Sequence, residues 1–142
     1  MIYRNMKKLF ISASLLLVSL AANAQKIETA NTIVDCGQTV YQSPATAEFE
    51  VINKGNHPTR ITDVRMSCGC TDVEYPKGMI PADGKFTVRV TYDAQTMGRY
   101  DKLVDIYTEG NEKPLLLRMR GQVVREIVDF GGKYDFMIGS IQ

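Results

Sequence analysis

The amino-acid sequence predicts an all-β protein, a sandwich of antiparallel sheets, on three observations. Runs of alternating apolar and polar residues recur along the chain, as strands with one buried face require. Turn signals rich in Gly, Pro and Asn separate these runs. From residue 25 onward no window carries apolar residues at helical spacing between recognisable caps.

The elements follow in chain order. Ile33-Val34-Asp35-Cys36-Gly37 reads as the opening strand. Ala45 to Val51 places Ala45, Ala47, Phe49 and Val51 on one face and closes at the turn Asn53-Lys54-Gly55-Asn56. Arg60 to Met66 carries Ile61, Val64 and Met66, an irregular spacing that points to a bulge. Lys85 to Asp93 is the clearest strand, with Phe86, Val88, Val90 and Tyr92 alternating against Thr87, Arg89, Thr91 and Asp93. Burying those four apolar side chains is worth roughly 6–12 kcal/mol before chain entropy is subtracted. The turn Pro81-Ala82-Asp83-Gly84 precedes it, with Pro setting φ and Gly supplying tolerance of positive φ. Tyr100 to Thr108 sets Tyr100, Val104 and Ile106 on one face, interrupted by Lys102. After a turn at Glu109-Gly110-Asn111, Leu115, Leu117 and Met119 face one way and Arg118 and Arg120 the other. A module of this kind is an immunoglobulin-like antiparallel β-sandwich.

Composition bounds the function. The chain has 142 residues, 44% hydrophobic and 23% charged, with no Trp and a net charge of +1. It is too short for a barrel enzyme or a two-domain dinucleotide fold, too apolar for disorder, and not basic enough for nucleic-acid binding. Residues 1–24 read as a signal peptide: Arg4, Lys7 and Lys8, an uncharged run from Leu9 to Ala22, and the small-x-small site Ala22-Asn23-Ala24. The apolar run is too short to span a bilayer as a helix, so no stable membrane insertion is expected after cleavage. Without this leader, 14 of the 17 basic residues remain against 16 acidic ones, for a net charge near −2. The expectation is an exported protein, periplasmic or extracellular, in a compartment that permits disulfides.

Residues 25–126 then form one sandwich domain. Ile33-Val34-Asp35-Cys36-Gly37 echoes in Ile127-Val128-Asp129-Phe130-Gly131, four identities in five at an offset of 94 residues. The tail 127–142 is either the start of a second similar module or an added edge strand. Its apolar end, Phe136 to Gln142, needs a partner surface to be buried.

Chemistry concentrates at sulfur. Cys68 and Cys70 flank Gly69, and Cys36 is the third cysteine. Three readings stay open. Cys36 bonds to Cys68 or Cys70, closing a loop of about 32–34 residues for roughly 3.5–4 kcal/mol. Alternatively, Cys68 and Cys70 form a redox pair or bond to each other. The last reading has those two thiolates take a soft metal such as Cu(I) or Zn, although a structural zinc site needs four ligands and only His57, stiffened by Pro58, could add to the cysteines. No catalytic residue is assigned. His57 lies in a polar turn, the carboxylates Asp72, Glu74, Asp83 and Asp93 fall at turns and strand exteriors, and no nucleophile-elbow, zinc-protease or phosphate-loop motif occurs. No cofactor is expected.

Several segments resemble the family known as domain of unknown function 1573. They are Asp35-Cys36-Gly37, Phe49 to Gly55, Ile61 to Thr71, Ile80 to Gly84, Gly98 to Lys102 and Leu117 to Gly121. The Ser67-Cys68-Gly69-Cys70-Thr71 run is the most specific. Cys36 departs from the pattern, standing where the family usually has an aromatic residue. The resemblance implies an exported immunoglobulin-like module, similar in shape to the Hydin and sperm-protein group, and no enzymatic activity. The expected function is a non-enzymatic interaction or scaffolding module with a protein or cell-envelope partner. The alternative is a thiol redox or soft-metal module built on Cys68 and Cys70.

Overall fold

The computed structural model describes residues 27–127. It contains eight strands in two four-stranded sheets. They are β1 (Ile27–Thr29), β2 (Ile33–Val40), β3 (Ala45–Asn53), β4 (Ile61–Met66), β5 (Thr71–Glu74), β6 (Lys85–Tyr92), β7 (Gly98–Thr108) and β8 (Leu115–Val124). The first sheet has the order β1-β3-β6-β5 and the second β2-β8-β7-β4. The expected leader, residues 1–24, and the echo beyond Ile127 lie outside the described residues. Among the described residues no helix is long and apolar enough to cross a membrane.

The alternation read from the sequence is the packing of the core. Ala45, Ala47, Phe49 and Val51 of β3 face Val88, Val90 and Tyr92 of β6 and are buried with them. Tyr100, Val104 and Ile106 of β7 and Leu115, Leu117 and Met119 of β8 supply the other layer. The irregular spacing in β4 is a register shift between Ile61 and Asp63. Met66, expected inside, is 42% exposed, because β4 ends there and the chain leaves for the other sheet.

Two features depart from the sequence reading. β2 pairs with β8 in parallel, so the second sheet is mixed. The chain opens in the first sheet as β1, then crosses within residues 30–32 and continues as β2 in the second sheet. Because the strand that opens the chain changes sheets without reversing direction, it meets β8 running the same way. In the turn before β6, the hydrogen bond from Gly84 N–H to the Pro81 carbonyl (2.9 Å) puts Pro81 at the first turn position. The positive φ therefore falls on Asp83 (62°), not on Gly84. Gly84 is required for space instead: a Cβ there would stand 2.8 Å from the Pro81 carbonyl oxygen.

The two ends of the sandwich close differently. At one end Asn53, fully buried, donates from Nδ2 to the carbonyls of His57, Ile80 and Pro81 at 3.0–3.1 Å. Its Oδ1 accepts from Gly55 N–H at 2.9 Å. This one amide pins the β3–β4 turn to the loop that enters β6. At the other end the rings of Tyr92 and Tyr100 meet across the sheets with centroids 4.5 Å apart. Lys102, the residue that interrupts the apolar face of β7, lays its ammonium 4.7 Å from the Tyr92 ring centroid. Its stem packs and its charge stays at the rim, as long basic side chains allow.

Candidate functional site

Ser67–Thr71 is the crossover from β4 in one sheet to β5 in the other. Ser67 ends the ladder: its N–H donates to the Leu103 carbonyl (3.0 Å), and its Oγ accepts from Leu103 N–H (3.1 Å). Cys68 and Cys70 are joined to each other, with Cα atoms 5.3 Å apart. The Cys70 carbonyl accepts from Asp93 N–H (3.1 Å), and Cys68 Sγ lies 3.6 Å from the Thr71 hydroxyl. The disulfide thus stiffens a corner already tied to β7 on one side and to the end of β6 on the other.

Cys36 is not part of this bond. It sits on β2, half-buried against the core, with its thiol 3.9 Å from the Thr46 carbonyl. Burial pushes the Cys36 thiol above its ordinary pKa, neighbouring Tyr100 pulls it down, and Asp35 adds to the rise. Cys36 thus packs as a small apolar side chain, and a raised pKa lowers its thiolate fraction. The Tyr100 hydroxyl beside it is buried against the Cys36 thiol and Thr39, in neither case with good hydrogen-bond geometry. Its pKa is also raised, chiefly by burial. Gly121 makes room for this hydroxyl: a Cβ there would lie 2.5 Å from the Tyr100 oxygen and 2.7 Å from the Gly37 carbonyl oxygen.

The remaining sequence candidates do not converge. His57 is exposed in its turn, and only its backbone carbonyl is engaged, by Asn53. Asp72, Glu74 and Asp83 are exposed, and Glu74 pairs loosely with Arg89 at 3.5 Å. Among the described residues no three His, Cys, Asp or Glu side chains gather into a ligand set. Cys68 and Cys70, bonded to each other, offer no thiolate to a metal.

What the sequence reading missed is the difference between the two outer sheet faces. The strands of the first sheet turn Glu28, Glu48, Glu50, Asp72 and Glu74 outward against Lys85 and Arg89, a net charge of −3, with threonines between them. None of the exposed large hydrophobic residues lies on that face. The strands of the second sheet turn four arginines (Arg65, Arg99, Arg118, Arg120) and four aspartates (Asp35, Asp63, Asp101, Asp105) outward, net zero. Within that face Arg118 meets Asp101 at 3.2 Å, Arg120 meets Asp35 at 3.4 Å and Arg65 meets Asp63 at 3.0 Å. Arg65 also stacks over Tyr107 at 4.7 Å. Ile33, Arg118 and Leu103 stand in one row across β2, β8 and β7, and Leu116 follows Arg118 on the same face of β8. Ile33, Leu103 and Leu116 are 45%, 42% and 59% exposed. Beside this row an open depression of about 540 Å³ runs over Gly121, bounded by Asp35, Arg99, Asp101 and Arg120. The signal was present in the sequence, since Ile33, Leu103 and Leu116 occupy outward positions of their strands. It could be read only once the parallel β2–β8 register set them side by side.

Solved structures share this fold. The ASH/PapD-like domain 7 of human CEP192 superposes with a TM-score of 0.61 at 14% identity, over 72% of this chain and 87% of that one. A protein of unknown function from Porphyromonas gingivalis W83 gives 0.59 at 19% identity, over 68% of this chain and 46% of that one. The VesB protease of Vibrio cholerae gives 0.54 at 16% identity, over 69% of this chain but only 32% of the protease. At these identities the likeness is one of fold, an immunoglobulin-like, PapD-like sandwich. No curated protein sequence matches the chain. The model of one family covers residues 27–123, most of the chain, and by that match the protein belongs to the family described as protein of unknown function, DUF1573.

Proposed function

We propose that the protein is a non-enzymatic, exported interaction module that docks a protein partner on the outer face of its second sheet. The observation that carries this reading is the exposed Ile33–Arg118–Leu103 row with Leu116 beside it. Protein interfaces are enriched at their centre in apolar and Arg side chains, with charge displaced to the rim. The opposite face, acidic and threonine-rich, has the composition of a solvated surface. Both the leader-like segment 1–24 and the disulfide agree with export. The likeness to the CEP192 domain supports the immunoglobulin-like scaffold that presents this face.

The test is site-specific photocrosslinking in intact cells, with the probe at Leu103 or, on the other sheet, at Thr87. Discrete protein adducts from Leu103 and none from Thr87 are expected. Equal labelling at the two sites, or none at either, would remove the reading, as would turnover of thiol, ester or glycoside substrates by the purified protein.

A second reading is a thiol redox or soft-metal module, favoured by one observation, the bonded Cys68–Cys70 pair on a partly exposed corner. It requires that mild reductant open the bond reversibly in the folded protein and that the reduced form take up Cu(I). A bond that survives until the sandwich unfolds excludes it.

A further inference from the structure

We infer that the occupant of the second sheet's outer face is a second copy of this chain, the two sandwiches meeting face to face. This rests on the docking surface proposed above and names its partner. Charge decides between the two faces. A first sheet stacked on its own copy would bring two net charges of −3 together across an interface, whereas the second face carries net zero. Six of its eight charges are paired within the sheet (Arg118 with Asp101, Arg120 with Asp35, Arg65 with Asp63), so a copy meets a face already largely neutralised. Closed two-fold association needs a self-complementary patch, and the row geometry supplies one. A two-fold axis running along the strands between β7 and β8 sets Arg120 of each copy against Asp101 of the other. The same axis sets each Leu103 against the aliphatic stem of the other's Arg118, because these residues are paired in register across the two strands.

The size is adequate for weak association. Four strands at about 4.8 Å spacing and about eight residues of 3.3 Å give roughly 500 Å² per copy, on the order of 1,000 Å² in total. That is the lower edge of a specific interface, so a dimer in exchange with monomer is expected rather than an obligate one.

Sedimentation equilibrium on the purified protein tests this. The mean mass should rise from one chain toward two as concentration increases through roughly 100 µM. Leu103→Arg, which sets a cation against the other copy's Arg118, and Leu116→Glu, which sets a carboxylate against its Asp105, should each weaken association by at least about tenfold with unchanged far-ultraviolet circular dichroism and melting temperature, since both positions are solvent-facing. Thr87→Glu on the first sheet should leave association as it was. A wild-type protein that stays monomeric at that concentration overturns the inference, and so does a dimer that all three variants leave intact. The crosslinking above separates the two ideas. An adduct of twice the chain mass from Leu103 supports the second copy, whereas adducts of another mass alone refute it and leave the docking surface standing.

Discussion

The two ends of the sandwich solve the same problem with different chemistry. Each must close a gap between sheets where chain crossings leave backbone groups without ladder partners. At the β3–β4 end this falls to the neutral amide of Asn53, hydrogen-bonded to three carbonyls and one N–H. At the Ser67–Thr71 end it falls to sulfur, phenol and amine: the Cys68–Cys70 bond, the Tyr92–Tyr100 pair, Lys102 and the Cys36 thiol. The first closure is made by neutral amide and carbonyl groups. The second holds a disulfide that a reductant can open and two groups, Cys36 and Tyr100, whose pKa burial raises. The bonds that close one end carry no charge or redox chemistry, while those at the other depend on both.

The largest expected effect sharpens this contrast. Asn53→Ala removes four hydrogen bonds at a fully buried position, leaving the Ile80 and Pro81 carbonyls with one backbone donor each (Thr59 and Gly84), and should cost about 2–4 kcal/mol in urea unfolding, with the loss equal at pH 6 and pH 9. A loss that varies with pH would break the comparison. Next comes Gly121→Ala at the other end, which forces a methyl group against the Gly37 carbonyl and the Tyr100 hydroxyl and should cost about 1–3 kcal/mol. Combining it with Tyr100→Phe should recover part of that loss, because the nearest of three obstructing atoms is gone, while the ring carbon that bore it stays 2.7 Å away. Tyr100→Phe alone should change stability by less than about 1 kcal/mol, since the buried hydroxyl it removes meets Thr39 and the Cys36 thiol only in poor geometry.

Replacing both Cys68 and Cys70 by Ser should cost only about 1.5 kcal/mol in the chain-entropy model, because the closed loop is so short. A Cys36 cross-link would have been worth more than twice that, so thermal unfolding with and without reductant distinguishes the two connectivities. The smallest effect is a change of slope. Cys36 and Tyr100 bind protons more tightly in the folded state than in the unfolded one. Their contribution is complete below the unfolded thiol value of about 8.5 and is lost as pH rises through the raised folded values. Stability should fall on the alkaline side, and Cys36→Ala should flatten the first part of that fall while Asn53→Ala leaves its slope alone.

The core strands were legible because their burial is one-sided and their register long. In β3 and β6 every inward position alternates with an outward one, so a period of two suffices. The edges were not. β1 has three residues and β5 has four, too short for periodicity to register. In β2 the burial pattern is irregular, and a shift between Asp35 and Gln38, with Gly37 at φ 65°, breaks the phase. Its parallel pairing depends on a change of sheet that no local pattern encodes. Asn53 read as a turn former, and that was correct for its backbone, but its side chain turns inward because the Ile80 and Pro81 carbonyls of a distant loop and the His57 carbonyl of its own turn converge on it. Three cysteines leave the pairing undetermined by count alone. In the fold Cys36 is packed on β2 beside Thr46 and Tyr100, while Cys68 and Cys70 share one corner.

The parallel alignment of β2 with β8 has a mechanical consequence. Tension applied to the chain ahead of β2 and behind β8 pulls two adjacent strands past each other along their length. The paired positions between Ile33 and Val40 on one strand and Arg118 and Val124 on the other must then give way together instead of peeling apart one at a time. A body built this way resists stretching between its flanks through all of those pairs at once.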